Sequence, residues 1–139
     1  MALDYKTRSP VMLQLGSFQF GINTAAYQTL QRTTEYRWPS QDRFGKGPVL
    51  QHVGQGADTI TLPGVIYPEW RGGLGQIDDL RKLAAEGKPQ TMIDGTGNVL
   101  GRWVIERLEE KQAVFADAGV PRKQEFTVQL RRYFDEGGR

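Results

Sequence analysis

Two stretches carry residue types that could support catalysis, and each has a plainer structural explanation. His52 is the one histidine of the chain, and no second histidine and no cysteine stands at metal-ligand spacing from it. The adjacent carboxylates Asp78 and Asp79 invite a glycosidase interpretation. Neighbouring helical side chains diverge by about 100°, however, and acids are favoured at a helix start. We therefore expect a surface histidine and a helix N-terminus here.

Two further stretches resemble ligand loops only in part. The run DGTGN from Asp94 to Asn98 has the oxygen-bearing side chains of a calcium loop, but no glutamate follows at the twelfth position. The run GGLG from Gly72 precedes a predicted helix, but lacks the Lys-Ser or Lys-Thr of a phosphate loop. We expect turn and loop roles for both, and therefore no metal site, no cofactor and no enzyme activity.

Two clusters combine aromatic and basic residues. The first flanks a long loop-like run and the second follows the central predicted strand; they are Arg37, Trp38, Arg43, Phe44 and Lys46, and then Tyr67, Trp70 and Arg71. Tryptophan, tyrosine and arginine anchor protein–protein interfaces, whereas aromatic residues between arginines also stack on single-stranded bases. The tryptophans could instead cover the edges of the core. A net charge of only +2 favours a protein interface over nucleic acid.

Hydrophobic periodicity predicts the central strand that lies between these clusters. Across residues 59–67 polar and apolar residues alternate, which places Ile60, Leu62 and Ile66 on one face of a half-buried strand. Pro63 has no N–H to donate to a neighbouring strand. We therefore expect a bulge or bend at Pro63.

One helix is predicted, from about Gln76 to Glu86. Its apolar residues recur at helical spacing along one stripe: Ile77, Leu80, Leu83 and Ala84. Gly87 and Pro89 together are typical of a helix end. Because the flanking sequence is strand-like, this helix is expected to cover an open face or end of a sheet.

The rest of the chain has the pattern of short strands and turns. The other predicted strands are 12–15, 18–22, 27–38, 90–93, 99–106 and 125–131. On the strand at 99–106, Trp103 and Ile105 are expected to point to one face, and Val104 and the following Leu108 to the other. The predicted fold class is a β-rich α+β fold with six or more strands and one helix.

Length and composition predict one domain. The 139 residues suit a single domain at 11–134, with a flexible N-terminal extension at 1–10 and a frayed C-terminus at 135–139. Residues 40–56 contain four glycines and predict a projecting hairpin arm that a neighbour orders on binding.

The absence of cysteine excludes disulfides and thiol nucleophiles and favours an intracellular compartment. No apolar run approaches the ~20 residues of a membrane span, so we expect a soluble chain without a leader.

Six strings of residues in the chain also suggest a family. In chain order they are LGSFQF from Leu15, TAAYQTLQR from Thr24, YRWPSQ from Tyr36, DTITLPGVIYPE from Asp58, EGKP from Glu86 and IDGTG from Ile93. Taken together they resemble the phage tail protein U, or GpU, family of contractile-tailed temperate phages. The resemblance covers residues 12–133 and leaves residues 1–10 as an extension.

The resemblance implies a fold and a function. The fold would be a tail-tube-like β-sandwich or barrel of about six to eight strands with one flanking helix, and it would close into rings, with six copies expected. The protein would be a structural tail-assembly protein that forms a ring at the baseplate end of the tail tube, as an initiator or adaptor between tube and hub. Its location would be the virion tail, after assembly in the host cytoplasm.

The implied partners are copies of the chain itself and neighbouring tail proteins such as tube, hub or tape measure. No small-molecule substrate, membrane or specific nucleic acid is expected. The two aromatic and basic clusters are the expected interface, since a ring subunit must offer complementary surfaces to its neighbours. One alternative is a tail terminator ring at the head-proximal end. An alternative from another class is a single-strand nucleic-acid or carbohydrate-binding module that uses the same clusters.

Overall fold

The structure is a computed structural model that describes residues 11–21, 24–68, 74–115 and 119–134, without the side chain of Arg43. The expectations for residues 1–10 and 135–139 lie outside this part of the chain. Within it, no helix is both long and apolar enough to cross a membrane.

The described residues form nine strands and one helix, which confirms the β-rich class with one flanking helix. In chain order these are β1 (Val11–Leu15), β2 (Phe18–Gly21), β3 (Gln31–Arg37), β4 (Ser40–Arg43), β5 (Lys46–Leu50), β6 (Gly54–Ile66), α1 (Gln76–Ala85), β7 (Gln90–Asp94), β8 (Val99–Phe115) and β9 (Pro121–Tyr133). Seven strands make an antiparallel sheet in the order β2-β1-β7-β8-β9-β6-β3. Strands β4 and β5 make a separate two-stranded sheet.

The buried core joins α1 to one face of the sheet. Alternate residues of β6 and β9 are buried, as their patterns predict: Ile60, Leu62, Ile66, Phe126, Val128 and Leu130. The stripe of α1 is buried through Ile77, Leu80 and Leu83, and the helix lies against β2 and β8. Gly87 adopts the left-handed conformation, with φ +66°, that ends a helix. The predicted helix is therefore confirmed to within one residue.

The bulge or bend expected at Pro63 is wrong. β6 pairs with β9 from residue 59 to residue 66 without a shift in register. The Pro63 carbonyl accepts a hydrogen bond from the N–H of Gln28 (2.7 Å), on the side of β6 away from β9, while β3 pairs with β6 only as far as Thr61. The N–H and C=O groups of a strand residue point to the same side of the strand. The N–H that Pro63 lacks would therefore point away from β9, at a position past the last pair between β3 and β6, so no hydrogen bond between strands is lost.

The strand predicted at 27–38 is shorter in the structure. β3 begins at Gln31, and Tyr27 makes only an isolated bridge to β6. A register shift between Thr34 and Tyr36 interrupts the alternation of β3. As a result Thr34 is half-buried, whereas Tyr36 is exposed.

β8 is longer than predicted and continues through the charged stretch that follows Ile105. A register shift directly after Ile105 adds one residue to β8, and one added residue reverses which face the later side chains occupy. Ile105 therefore pairs with Leu130, and Leu108 pairs with Val128, so both pack against the core. The expectation that Leu108 points away from the face of Ile105 is wrong for this reason.

Two hairpins extend beyond opposite ends of β6. At its N-terminal end, Arg37 of β3 pairs with Gly54 of β6, and the β4–β5 hairpin joins these two strands. At its C-terminal end, Ile66 is the last residue paired with β9. The β8–β9 hairpin continues past that point until Phe115 pairs with Pro121.

The packing of α1 on the sheet predicts the effect of Leu80→Ala. Leu80 has no exposed surface, so its truncation is expected to lower the free energy of unfolding by about 2–5 kcal/mol. Urea denaturation followed by circular dichroism measures this change. Lys82→Ala on the exposed side of the helix is the matched control, with a change under about 0.5 kcal/mol. A loss that small for Leu80→Ala would contradict the packing described here.

Candidate assembly surface

Strands β4 and β5 form a hairpin over residues 40–50, called the arm, whereas residues 54–56 of the predicted arm belong to β6. Ser40 pairs with Leu50 at its base, and Arg43 pairs with Lys46 next to the turn. The turn consists of Phe44 and Gly45, and Gly45 has φ +72°, a conformation that glycine adopts at little cost. The Phe44 ring is fully exposed at this turn. The arm therefore presents an aromatic side chain to solvent.

Three aromatic rings, called the aromatic cluster, lie where the arm joins the sheet: Tyr36, Trp38 and His52. Trp38 and His52 stack with 4.8 Å between ring centroids, and Tyr36 meets His52 edge to face at 6.4 Å. The backbone holds the two sides of this junction together, because the N–H of Val53 donates to the carbonyl of Arg37 (3.0 Å). All three rings are exposed, so Trp38 does not cover the edge of the core.

The structure places half of the predicted interface residues on the arm or at its junction with the sheet. Four of the eight are exposed on the arm or at its junction: Arg37, Trp38, Phe44 and Lys46. Arg43 lies in β4, but its side chain is outside the described residues, as are Trp70 and Arg71. Tyr67 is exposed, but it follows the C-terminal end of β6, whereas the arm precedes the N-terminal end. Tyr67 is thus separated from the arm by the length of that strand.

A buried carboxylate connects β3 to the sheet beside the arm. Asp58 of β6 has no exposed surface and accepts two hydrogen bonds from the Arg32 guanidinium, at 3.0 and 2.6 Å. The Thr34 hydroxyl (3.1 Å) and the Gln55 amide (3.2 Å) also donate to it. Arg32 and Thr34 both belong to β3, where Thr34 is the one side chain that is not exposed. These contacts therefore tie an otherwise exposed edge strand to its neighbour.

The charges of this cluster stabilise one another. The hydrogen bond from Arg32 lowers the pKa of the Asp58 carboxyl and outweighs burial, which alone would raise it. The Arg32 guanidinium also lies over the Trp103 ring, 5.3 Å from its centroid, and Arg132 lies 5.9 Å from the same centroid. A cation over an aromatic face is a favourable arrangement. The cluster thus couples β3 to the centre of the core.

Sequence reasoning missed Arg32 and Asp58, although a signal was present. Asp58 has the parity of Ile60 and Leu62, so the alternation that buries those two residues also buries this acid. A buried acid requires a partner. The candidate partner was Arg32, which lies on the neighbouring strand two residues before Thr34.

In the DGTGN stretch, the Asp94 carboxylate accepts hydrogen bonds from groups of the same turn. Asp94 accepts hydrogen bonds from the hydroxyl (2.7 Å) and N–H (2.9 Å) of Thr96 and from the N–H of Asn98 (2.9 Å). These bonds, the Thr96 hydroxyl foremost, lower the pKa of Asp94 to about 2. Across the described ranges, no group of three or more histidine, aspartate or glutamate side chains is placed to hold a metal ion.

Comparison with known sequences finds one matching family and one curated relative. The family model described as Phage P2 GpU matches residues 16–135. The "Probable tape measure protein" of Halomonas phage phiHAP-1 is 34% identical to this chain over 120 residues. The match covers 86% of this chain but only 14% of the relative, so the chain spans a small part of that protein's length.

Comparison with solved structures finds the same fold in tail-bearing particles. A chain from "Virion of native gene transfer agent (GTA) particle" superposes with a TM-score of 0.58 at 11% identity. A chain from "Tail of empty GTA particle computed with helical refinement, C6 symmetry" gives a TM-score of 0.55 at 13% identity. Each match covers 96% of both chains. At these identities the likeness establishes the fold.

Proposed function

Because the chain belongs to the Phage P2 GpU family of phage tail structural proteins, we propose that it forms a ring at the baseplate end of the tail tube. In that position the ring acts as an initiator or adaptor between the tube and the hub. The single observation that carries the assembly with other tail proteins is the exposed arm with the aromatic cluster at its base.

The arm has the composition of an interface and lies outside the core. Tyr36, Trp38, Phe44 and Leu50 are all exposed, and Arg37 and Lys46 add positive charge beside them. Exposed aromatic and apolar side chains that adjoin one another mark a surface that binds another protein. We propose that a neighbouring tail protein covers the arm.

The sheet supports ring formation. β2 and β3 stand at its two ends, and an edge strand presents backbone groups that can pair with another chain. Contact between two different surfaces of identical subunits is heterologous and generates a ring when the rotation closes. We propose six copies, the symmetry of the tail that contains one of the chains sharing this fold.

The curated relative supports a tape measure protein as one partner. In that relative, a segment similar to this chain is part of a much longer protein whose name is "Probable tape measure protein". We propose that the ring contacts a tape measure protein, in addition to tube and hub. The proposed location is the virion tail, reached after assembly in the host cytoplasm.

Gold labelling of the protein in assembled tails tests its position. We expect label at the baseplate end. Label confined to the head-proximal end would assign the terminator role instead. Tight, salt-dependent binding of single-stranded oligonucleotides by the purified protein would favour a nucleic-acid-binding module.

Reversing one charge on the arm tests its role in assembly. Lys46→Glu is expected to leave the thermal midpoint unchanged, because the side chain is exposed, and to reduce the yield of assembled tails. Complementation of a deficient phage, with tails counted by electron microscopy, measures the yield. Lys88→Glu, also exposed but outside the arm, is the matched control. A full yield of tails with Lys46→Glu would remove Lys46 from the interface.

A further inference from the structure

A second guanidinium, that of Arg132 on β9, lies beside the Arg32–Asp58 pair. Its charge contributes to the lowered pKa of Asp58, so the two groups are near each other. Four hydrogen bonds already occupy both Asp58 oxygens, however, two on each. A carboxylate has about four acceptor sites, and these bonds fill them. The cluster therefore contains two guanidinium groups but only one carboxylate, which has no acceptor site left for Arg132.

The guanidinium of Arg132 is unpaired. Its Nε atom is buried and has no hydrogen-bond partner, and across the described ranges this side chain makes no ion pair. The residue as a whole is only half-buried, so an approaching group can reach the side chain. Removing a charge from water without a partner is costly. An anion from another molecule would offset this cost.

Three neighbours form a slot around this guanidinium. Its central carbon lies 5.9 Å from the centroid of the Trp103 ring and 5.2 Å from that of the Phe134 ring. The guanidinium also lies against Gly101, where an added Cβ atom would come within 2.6 Å of three of its atoms. Gly101 has φ +96°, a conformation that favours glycine as well. The slot therefore holds the cation in place, and a preorganised group binds at a lower entropic cost.

The slot lies at the end of the sheet that carries the arm. Arg131 is the last residue of β9 that pairs with β6, opposite Thr59. Arg132 and Phe134 follow it and continue toward Gly54, the residue of β6 that the arm precedes. A protein that covers the arm therefore comes to the same end of the subunit.

We propose that the Arg132 slot receives a carboxylate from the neighbouring tail protein that covers the arm. This inference rests on the proposed assembly with other tail proteins and names the chemical group that one partner must bring. A carboxylate matches the fork of a guanidinium and forms two parallel hydrogen bonds with it. An acidic side chain is favoured over the phosphates of nucleic acid, because a net charge of +2 gives little attraction to a polyanion.

Acetate is the probe for this carboxylate in the purified protein. At constant ionic strength, replacing chloride by acetate is expected to raise the thermal midpoint about 2 °C more in the unsubstituted protein than in Arg132→Met. Arg131→Met is the matched control. Arg131 is exposed and already pairs with Glu106, so this variant should keep the full response. A response that Arg132→Met retains would overturn the site.

Tail assembly provides a second test, with a result that a purely structural role would not give. Arg132→Met is expected to reduce the yield of assembled tails about tenfold in complementation of a deficient phage. Its thermal midpoint should stay within about 3 °C of the unsubstituted protein, because removal of an unpaired charge offsets the loss of two aromatic contacts. A midpoint that falls together with the yield would overturn the proposal in favour of a structural role.

Arg132→Lys keeps the charge but not the fork of the guanidinium. We expect a normal thermal midpoint and a yield of tails between those of Arg132→Met and the unsubstituted protein. This variant decides the question if Arg132→Met does not fold. A full yield with Arg132→Lys would then overturn the proposed carboxylate pairing.

Two outcomes would assign the slot to a different anion and overturn the proposal. Asp135 and Glu136 follow Phe134 in the sequence. If Asp135→Asn combined with Glu136→Gln reduces the yield of tails as Arg132→Met does, the carboxylate comes from the same chain. If the purified protein binds single-stranded oligonucleotides and Arg132→Met abolishes that binding, the anion is a phosphate.

The yields also separate this inference from the role of the arm. A full yield with Arg132→Met and a reduced yield with Lys46→Glu would overturn the carboxylate contact and leave the arm as an assembly surface. Full yields with both variants would overturn both proposals.

Discussion

Trp103→Ala is expected to lower the free energy of unfolding by about 3–5 kcal/mol. Trp103 has no exposed surface, and its indole N–H donates to the carbonyl of Leu100 at 3.0 Å. Truncation would leave a cavity, an unpaired carbonyl, and the guanidinium groups of Arg32 and Arg132 without the ring they contact. Urea denaturation followed by circular dichroism should show a lower midpoint with an unchanged slope.

A second tryptophan provides the matched control. Trp38 lies outside the core and is 53% exposed, so Trp38→Ala is expected to change the stability by less than about 0.5 kcal/mol. Trp103→Phe keeps a buried ring and should lower the stability less than Trp103→Ala does. It therefore provides a variant that can be measured if Trp103→Ala does not fold. A loss below about 1 kcal/mol for Trp103→Ala would contradict its place at the centre of the core.

Arg32→Met is expected to cost about 3 kcal/mol at pH 7, because it removes the guanidinium that donates two hydrogen bonds to the buried carboxylate of Asp58. This value is at the low end of the destabilisation expected when a buried ion pair is broken, since Thr34 and Gln55 still donate hydrogen bonds to the carboxylate. Arg131→Met is the matched control. Arg131 pairs with Glu106 at 2.9 Å between exposed side chains, a pair worth less than about 1 kcal/mol. Equal losses for the two variants would show that Asp58 does not depend on Arg32.

The cost of Arg32→Met is expected to shrink in acid. The pKa of Asp58 is lowered in the folded protein, so its ion pair contributes fully above the pKa of the unfolded chain, near 3.9, and is lost as pH falls through the folded-state value. In the variant the hydrogen bond from Arg32 is gone, so the pKa of Asp58 is higher than in the unsubstituted protein and Asp58 is protonated at a higher pH, which reduces the penalty. Unfolding free energies measured from pH 7 to pH 3 should therefore converge. A constant difference would contradict the assignment of the effect to Asp58.

Elements with a local period could be predicted from the sequence. The helix α1 could be predicted because its apolar spacing, its acidic first turn and Gly87 all indicate a helix within one short segment. The buried faces of β6 and β9 could be predicted because the alternation of polar and apolar residues within each strand determines them. The arm was predicted as a projecting hairpin from the length of residues 40–56 and their four glycines, without clear periodicity. In each case the signal lies within about a dozen residues.

What the sequence did not show depends on contacts between distant segments. The register shift after Ile105 becomes visible only when β8 is paired with β9, and it moves Leu108 to the core side. The place of Pro63 depends on where β3 stops. The interface residues were predicted from composition, which cannot tell that Tyr67 and the arm lie at opposite ends of β6. The exposure of Val114, Phe115 and Val120 was missed, because apolar residues beside a glycine and a proline are equally typical of a buried turn.

The β4–β5 and β8–β9 hairpins extend beyond opposite ends of β6, so the subunit has two unlike ends. In the proposed ring every copy would keep the same orientation, so the ring would have two unlike faces. If the neighbours bind these hairpins, a ring inserted upside down would bring the wrong hairpin to each of them.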